Sequence, residues 1–341
     1  MHARDTSVLV TGGAGFIGSE LVAQLVRDGR YVIVLDNLVN GRRENLAGLT
    51  TASYTLVVGD IRDTELLAAL LPTVSMVFHL ACLGLRHSLH AARANHEVNA
   101  GGTLALLEAA HAAGVERFVH VSSSEVYGSA RSVPMSEDHV TEPSTVYGAA
   151  KLAGEGYARA FHRTHGLPVV IVRPFNAFGP RSHHEGDCGE VIPRFLLRAM
   201  AARPLIVFGD GTQTRDFTFV SDTARGIRLA GGAAGVIGET LNLGSGREVM
   251  VNELARSVIE VVSRPESAVV HEASRPGDVQ RLCADSRRAQ RMLGFTPTIS
   301  LTEGLSRTLE WYRSLDVSAA RLLEAEVVHN WMGPGENAHD H

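Results

Sequence analysis

Two residues that could perform acid–base chemistry lie one helical turn apart. Tyr147 and Lys151 occupy positions i and i+4 of the segment YGAAK, which places both side chains on one face of a predicted helix. A free tyrosine has a pKa of about 10 and is a poor base at neutral pH, but a neighbouring ammonium favours its phenolate. The pair alone is a weak signal, because an amphipathic surface helix shows the same pattern.

A run of hydroxyl side chains strengthens the signal. The segment SSSEVYG (residues 122–128) directly follows a predicted strand, and open α/β sheets bind ligands at the carboxyl ends of their strands. A hydroxyl at that edge can hydrogen-bond the same substrate oxygen that a tyrosine deprotonates. The two segments together therefore indicate a catalytic site.

A glycine-rich turn, TGGAGFIG (residues 11–18), lies between the first predicted strand and the first helix. Its glycines fit the G-x-G-x-x-G fingerprint, in which a pyrophosphate approaches the backbone at a helix N-terminus. Asp36 ends the second predicted strand 18 residues after Gly18, where an acid meets the adenosine ribose hydroxyls. A carboxylate there repels a 2′-phosphate, so the sequence favours NAD over NADP and disfavours an NADPH-dependent reductase.

Two neighbouring features leave alternatives open. Arg42 and Arg43 could clamp a 2′-phosphate, although they lie beyond the turn that follows Asp36. Asp60, after the third predicted strand, could hydrogen-bond the adenine amino group, or Asp60 or Asp63 could cap the next helix.

The elements that must position these residues alternate regularly through the first half of the chain. Helical patterns such as 17–27 separate apolar, β-branched segments that have the character of strands buried on both faces. The predicted strands are 7–11, 31–36, 54–59, 76–81, 117–122 and 168–173. This order predicts an α/β fold, a Rossmann-type doubly wound parallel sheet, over residues 1–180.

The rhythm changes after residue 180, which predicts a smaller, interleaved α/β lobe for substrate over residues 181–330. Segments 217–220 and 240–243 look like strands that rejoin the large sheet, so about 212–245 is assigned to the first domain. A turn-rich stretch covers residues 264–278. The tail, 331–341, has no periodicity over most of its length and is predicted to be disordered.

Composition excludes several functional classes. The 341 residues carry a net charge of −5, which gives no electrostatic reason to expect nucleic acid or a membrane surface as a partner. Three cysteines without a CxxC pair indicate neither a disulfide framework nor a cysteine zinc site. Neither a signal-peptide core nor a membrane span is evident. We therefore expect a cytoplasmic protein.

In combination, these motifs resemble one family. TGGAGFIG, Asp36, GDI at 59–61, FHLA at 78–81, SSSEVYG, YGAAK, RPFNAFGP at 173–180 and RDFTFVSD at 215–222 occur in the order typical of extended short-chain dehydrogenases/reductases that act on nucleotide sugars. The resemblance covers about residues 7–315.

The resemblance implies a catalytic set of Ser123, Tyr147 and Lys151, with NAD held tightly and recycled within one turnover. Tyr147 would take the proton of a sugar hydroxyl, usually at C4, and leave a 4-keto sugar. A protein that only senses NAD would lack the Tyr–Lys pair. The predicted cofactor-binding residues are Gly12, Gly15, Phe16, Ile17, Gly18, Asp36, Asn37, Asp60, Ile61, Leu80, Ala81, Asn99, Tyr147 and Lys151.

The second lobe would hold the nucleotide diphosphate. By resemblance, Asn176 and Arg215 face the diphosphate, Arg275 and Asp278 contact phosphate and ribose, and Ser124 lies beside the substrate. For Arg275, a surface salt bridge is an equally good interpretation. The family also implies a homodimer that forms through helices near 99–113 and 146–161, although burial within one chain would explain the same apolar pattern.

The keto sugar leads to three reactions in the family. Dehydratases resemble Thr-Asp-Glu where this chain has Ser123-Ser124-Glu125, so the missing aspartate disfavours dehydration. The RDFT segment is closer to the epimerase form, and a 4-epimerase of a UDP- or dTDP-hexose is the leading hypothesis. Glu125 is a surplus acid for that reaction, which keeps a UDP-glucuronate decarboxylase as the alternative.

The loop at 183–188, HHEGDC, combines side chains that can bind metals. Its groups are adjacent on an irregular loop without an identifiable distant partner. We therefore predict no metal site and interpret the loop as a contact to the sugar.

Overall fold

A parallel sheet of seven strands organises residues 7–332, the part of the chain that the computed structural model describes. In chain order the strands are β1 (Ser7–Thr11), β2 (Tyr31–Asp36), β3 (Tyr54–Val58), β4 (Met76–His79), β5 (Arg117–Val121), β6 (Val169–Pro174), β7 (Asn176–Phe178), β8 (Leu205–Phe208), β9 (Thr214–Arg215), β10 (Phe217–Phe219), β11 (Thr240–Leu243), β12 (Val249–Met250) and β13 (Val269–Glu272). The main sheet has the order β11-β6-β5-β4-β1-β2-β3.

Helices cover both faces of this sheet. They are α1 (Phe16–Arg27), α2 (Thr64–Leu70), α3 (His87–His90), α4 (Ala92–His96), α5 (Thr103–Ala112), α6 (Val146–His165), α7 (Val191–Met200), α8 (Val220–Gly232), α9 (Val251–Val262), α10 (Arg287–Leu293), α11 (Leu301–Ser314) and α12 (Ala319–Leu322). The predicted doubly wound fold is confirmed, and the six predicted strands end within two residues of the observed ones.

Successive side chains of the central strands pack alternately into two separate apolar cores, one on each face of the sheet. Val8 and Val10 of β1 point to a core shared with α1 and α8, whereas Leu9 points to a core shared with α2, α5 and α6. All five residues of β1 are buried, because both faces of a parallel sheet are covered by helices. The sheet therefore forms a rigid base whose carboxyl edge carries the functional loops.

The two strands expected to rejoin the sheet behave differently. Thr240–Leu243 pairs with β6 and completes the sheet, as predicted. The prediction for 217–220 was wrong: Phe217–Phe219 pairs with Asn176–Phe178 in a separate parallel ribbon, and Val220 already begins α8. The reason is that the chain leaves the sheet edge after Pro174, and β11 occupies the position next to β6.

The second lobe has its own apolar core, formed chiefly by α7, α9 and α11 with β8. Within the predicted turn-rich stretch, Val269–Glu272 forms a strand that pairs with β8. Residues 323–332 then run back across this lobe. Glu326 accepts hydrogen bonds from Arg194 at 2.8 Å and Arg198 at 2.9 Å.

The predicted disordered tail is corrected at its start. Trp331 packs edge-on against Phe208, with ring centroids 4.9 Å apart, and residues 333–341 lie outside the described chain. Within residues 7–332, no helix combines the length and the apolar character needed to cross a membrane.

Candidate functional site

A cleft of about 450 Å³ lies between the carboxyl edge of the sheet and the second lobe. Of the predicted site residues, the following line it: Gly12, Gly15, Phe16, Ile17, Gly18, Asp36, Asn37, Asp60, Ile61, Leu80, Ala81, Ser123, Ser124, Glu125, Tyr147, Lys151, Asn176, Arg215, Arg275 and Asp278. Residues that are far apart in the sequence thus share one continuous surface.

The turn after β1 is too tightly packed for side chains. Gly12 adopts a φ of +69°, and a Cβ on it would lie 2.8 Å from the backbone of Ala81. A Cβ on Gly18 would lie only 2.1 Å from the carbonyl oxygen of Gly12. Phe16 and Ile17 start α1 at the cleft, where the free N–H groups of a helix favour an anion. This cradle fits the pyrophosphate of a dinucleotide.

Asp36 is held rigidly at the end of β2. Its carboxylate accepts hydrogen bonds from the backbone N–H groups of Ala14 and Leu38, both at 2.9 Å. Burial raises the pKa of Asp36, and these two hydrogen bonds oppose that effect. The neighbouring Arg42 forms an ion pair with Glu185 at 2.5 Å, so its charge is already engaged. The arrangement fits a ribose diol better than a 2′-phosphate.

Of the two roles considered after the third strand, helix capping belongs to Asp63, and Asp60 remains available at the cleft. Asp63 caps α2, since its side chain accepts a hydrogen bond from the N–H of Leu66 at 3.0 Å. Asp60 instead accepts hydrogen bonds from Arg62 at 2.9 Å and from Asn37 at 3.1 Å, and the Arg62 guanidinium lowers the pKa of Asp60 to about 2. Asp60 is therefore an ionised group at the adenosine end of the cleft.

Asn99 is the predicted cofactor residue that does not line the cleft. Its buried amide accepts a hydrogen bond from the N–H of Leu83 at 2.8 Å and donates one to the carbonyl oxygen of Leu83 at 2.9 Å. Asn99 thus supports the loop after β4 from behind. It contributes to the cleft only through the position of that loop.

The acid–base residues lie on α6 and on the loop after β5. Thr145 caps α6 by accepting the N–H of Gly148 at 3.2 Å, which fixes the first turn that carries Tyr147. Lys151 is buried, and its Nζ donates to the carbonyl oxygen of Val121 at 3.0 Å. Burial raises the pKa of the Tyr147 phenol, and a hydrogen bond with the Ser123 hydroxyl opposes that effect. The three predicted catalytic residues are therefore brought together.

Beyond the tyrosine, the cleft wall is rich in charged groups. Asp278 forms ion pairs with Arg215 and, at 3.5 Å, with Arg275. Burial raises the pKa of Glu125, while the nearby Arg215 opposes that effect. The Oδ1 atom of Asn176 is buried without a hydrogen-bond partner in the described chain. The two guanidinium groups suit an anionic ligand along the second lobe, and the Asn176 oxygen can accept a hydrogen bond from a hydroxyl of that ligand.

Comparison with known proteins identifies the family. A family model described as GDP-mannose 4,6 dehydratase matches residues 9–308. The chain is 39% identical to a UDP-glucose 4-epimerase of Mycolicibacterium smegmatis, over 90% of this chain and 98% of that protein. It is 38% identical to a dTDP-glucose 4,6-dehydratase of Streptomyces niveus, over 90% of this chain and 92% of that protein. The chain belongs to the extended short-chain dehydrogenases/reductases, within their nucleotide-sugar epimerase/dehydratase group.

A solved structure of the same family matches the whole fold. The dTDP-glucose 4,6-dehydratase DesIV from Streptomyces venezuelae, with NAD and TYD bound, gives a TM-score of 0.85 at 39% identity and covers 90% of this chain and 97% of that one. The relatives thus include both epimerases and dehydratases. They agree on the family of this enzyme and leave its individual reaction open.

Several cleft residues of this family member were not predicted from the sequence. Phe208 and Trp331 form an aromatic corner, and the guanidinium of Arg275 lies over the Phe208 ring at 5.3 Å. Glu190 precedes α7 without capping it, and burial raises the pKa of Glu190 to about 7. Arg86 lies in the loop after β4. No sequence motif predicted a role for Phe208, Trp331, Glu190 or Arg86.

The loop HHEGDC packs between the lobes. Glu185 binds Arg42 and His183, and the Sγ of Cys188 lies 3.3 Å from the Oδ1 of Asn40. His183 and Cys188 line the cleft, which is compatible with the predicted contact to the sugar. Among residues 7–332, no group of three or more His, Cys, Asp or Glu side chains is arranged to hold a metal ion.

Proposed function

We propose that this enzyme is an NAD-dependent nucleotide-sugar 4-epimerase that acts on a UDP- or dTDP-hexose. The observation that carries the proposal is the placement of Tyr147 beside Ser123 and one helical turn from Lys151, at the point where the dinucleotide cradle meets the charged wall of the second lobe. A sugar joined to a diphosphate has a group that can react at Tyr147 and an anionic group that matches the arginines of the same cleft.

NAD supplies the oxidation and reduction at C4 when it is bound. Gly12 and Gly18 leave room in which its pyrophosphate would be held, and Asp36 would bind its adenosine ribose. The protein's remaining task is proton transfer at the sugar O4, which Tyr147 performs. Ser123 binds the same oxygen and keeps it in line with the phenol.

Lys151 makes the phenol of Tyr147 a usable base. Burial opposes ionisation of Tyr147, so a nearby positive charge is needed to stabilise the phenolate. The Lys151 ammonium is fixed by its hydrogen bond to Val121 and lies one turn along the same helix. The 4-keto sugar then rotates in the cleft so that its opposite face is reduced at C4. Return of the proton from Tyr147 to O4 completes the epimerisation.

Glu125 supports a second candidate, decarboxylation of a nucleotide-linked glucuronate. C4 epimerisation needs one base, and Glu125 adds a cleft-lining carboxyl whose pKa is raised by burial. Such a group can exchange a proton with the carbon that loses carbon dioxide. Dehydration is less favoured, because the buried Ser124 occupies the position where the dehydratase pattern has an acid.

One experiment separates these reactions. The purified enzyme is incubated with a panel of UDP-, dTDP- and GDP-sugars, including UDP-glucuronate, and the products are analysed by mass spectrometry and NMR. A product of unchanged mass with altered couplings at C4 supports the epimerase. Loss of carbon dioxide identifies the decarboxylase, and loss of water identifies a dehydratase and refutes the proposal.

We also propose that the enzyme is a homodimer. Helices α5 and α6, which the family resemblance assigns to the subunit interface, lie side by side on one face of the sheet. Sedimentation equilibrium gives the mass directly, and a monomer at micromolar concentration would refute this arrangement.

A further inference from the structure

Arg86 is a partly buried arginine, with a shielded Nε atom, that has no carboxylate partner. It lies between β4 and α3 and lines the cleft on the side of the dinucleotide-binding lobe. Its Nε atom is shielded from solvent and has no hydrogen-bond partner, and no carboxylate among residues 7–332 lies within ion-pair distance of its guanidinium. Burying a charge in this way is costly unless another group compensates it.

The charges of other arginines along the cleft are neutralised by carboxylates. Arg215 pairs with Asp278, and Arg194 and Arg198 both pair with Glu326, at 2.8 and 2.9 Å. Each of these guanidinium groups is fixed by a carboxylate of the same chain. Arg86 lines the same cleft as they do and lacks such a partner, so its compensation must come from elsewhere.

The electrostatic surroundings of Arg86 are unfavourable for its charge. Burial lowers the pKa of Arg86 to about 9, and the positive charges of Arg275 and Arg194 contribute in the same direction. Glu190 and Asp278 oppose the effect from a distance. Arg215 and Arg275 share the carboxylate of Asp278. Glu125 and Glu190 also line the cleft, but burial raises the pKa of both and so favours their neutral forms. With these two groups protonated, the wall carries excess positive charge even before Arg86 is counted.

We propose that Arg86 binds an anionic oxygen of the nucleotide sugar, supplied either by a carboxylate on the sugar or by the diphosphate. A guanidinium presents several N–H donors in a planar fork, which suits the oxygens of both groups. The proposal rests on the proposed function in one respect, since it takes the ligand of this cleft to be a nucleotide sugar.

The two sources make different demands on the cleft. A diphosphate would be shared with Arg215 and Arg275, and its two charges would match the excess of that wall. A sugar carboxylate would bind Arg86 apart from Arg215 and Arg275. It would also favour the protonated form of Glu190, which acts electrostatically on both Arg86 and Tyr147. In the second case, the enzyme's substrates are nucleotide-linked uronic acids.

The test uses Arg86→Gln, with Arg86→Lys as a conservative variant and Arg93→Gln as the control. Arg93 is exposed on α4. Isothermal titration calorimetry measures the binding of UDP, UDP-glucose and UDP-glucuronate to the NAD-loaded enzyme, with the dTDP or GDP series used if the wild type prefers that base. We expect Arg86→Gln to weaken binding roughly 10- to 100-fold for at least one ligand. Arg86→Lys should retain part of this affinity, and Arg93→Gln all of it.

The pattern of losses identifies the source of the anion. An equal loss for all three ligands assigns Arg86 to the diphosphate, and a loss confined to UDP-glucuronate assigns it to the carboxylate. Thermal melting without substrate gives a second readout. Because Arg86 has no carboxylate partner in the substrate-free enzyme, Arg86→Gln should melt at the same temperature as the wild type or a higher one. On addition of the ligand, its melting temperature should rise by less than that of the wild type.

Two outcomes remain distinct. If the wild type binds these ligands and Arg86→Gln binds each of them within about twofold as well, the role of Arg86 is overturned while the proposed function stands. If the wild type converts no nucleotide sugar of the panel, the proposed function fails. A kinetic split gives an independent check, since loss of a binding contact raises KM more than it lowers kcat.

Discussion

The Nζ atom of Lys151 donates a hydrogen bond to the carbonyl oxygen of Val121 at 3.0 Å. This contact joins the second turn of α6 to the last residue of β5, and the serine-rich loop begins directly after that residue. The buried lysine therefore fixes the distance between the helix that carries Tyr147 and the loop that carries Ser123.

Replacing Tyr147 by Phe should abolish turnover without releasing NAD. The variant loses only the hydroxyl that exchanges the proton, so we expect a fall in kcat of roughly 100-fold or more. Bound NAD is measured by absorbance after denaturation and should equal that of the wild type. Tyr157→Phe, on the same helix, serves as the control. Undiminished turnover by Tyr147→Phe would contradict the assignment of the base.

Replacing Lys151 by Met should change the pH dependence of the reaction. Burial already raises the pKa of Tyr147. In the proposed mechanism the Lys151 ammonium favours the phenolate, so its loss should raise that pKa further. Because the ionised phenol is the active form, the acidic limb of the kcat profile should move to higher pH. The profile is measured under saturating substrate. A lower kcat with an unmoved limb would mean that Lys151 only positions the helix.

The buried ion pair of Glu155 and Arg173 should contribute strongly to stability. Arg173 contacts both carboxylate oxygens, at 2.8 and 2.7 Å, and thereby links α6 to β6. Glu155→Gln leaves a buried guanidinium without its counter-charge, which we expect to cost about 3–5 kcal/mol in the free energy of unfolding. Glu303→Gln removes the partner of Arg307 in an exposed pair and should cost less than about 1 kcal/mol. Urea denaturation measures both, and equal effects would refute the argument.

A methyl group on Gly18 should prevent formation of the dinucleotide cradle. The added Cβ would lie 2.1 Å from the carbonyl oxygen of Gly12, so the turn must shift. We expect a loss of bound NAD and a destabilisation of about 1–3 kcal/mol. Gly232→Ala is the matched control, because no heavy atom lies within 4 Å of its added Cβ. Full retention of NAD by Gly18→Ala would show that the turn adapts.

The fold was predictable wherever burial leaves a periodic trace in the sequence. The strands β1 and β6 are buried on both faces and appear as continuous apolar runs. Phe217–Phe219 is also largely apolar and equally buried, yet it pairs with β7 outside the sheet. An apolar run indicates that a strand is buried but does not identify the strand with which it pairs, which explains why this prediction failed.

The site was predictable only where a motif ties residue type to backbone geometry. Gly18 and Asp36 follow from the path of a dinucleotide over a strand–helix turn. No such rule applies to the part of the cleft that faces the substrate. Arg86 stands out only because its Nε atom has no hydrogen-bond partner, and Trp331 only because its ring packs against Phe208. Both features depend on tertiary contacts and leave no local signal.

Glu190 should make the stability of the enzyme depend on pH. Burial raises the pKa of Glu190 from 4.5 to about 7, and the charges of His183 and Arg86 oppose the shift. Between these two values the native state keeps a proton that the unfolded state has released, so its stability falls as the pH rises. The size of this contribution is at most about 3 kcal/mol above pH 7.

Glu190→Gln removes this pH-dependent loss of stability. The melting temperature of the variant should therefore rise relative to that of the wild type from pH 5 to pH 8. His183 lies close to Glu190, and the carboxylates of Glu185 and Glu190 raise its pKa against the effect of burial, but His183 is present in both proteins. Glu310→Gln, an exposed change on α11, should give a difference that does not vary with pH. A constant difference for Glu190→Gln as well would show that Glu190 ionises at its ordinary pKa in the native state, which would contradict the argument from burial.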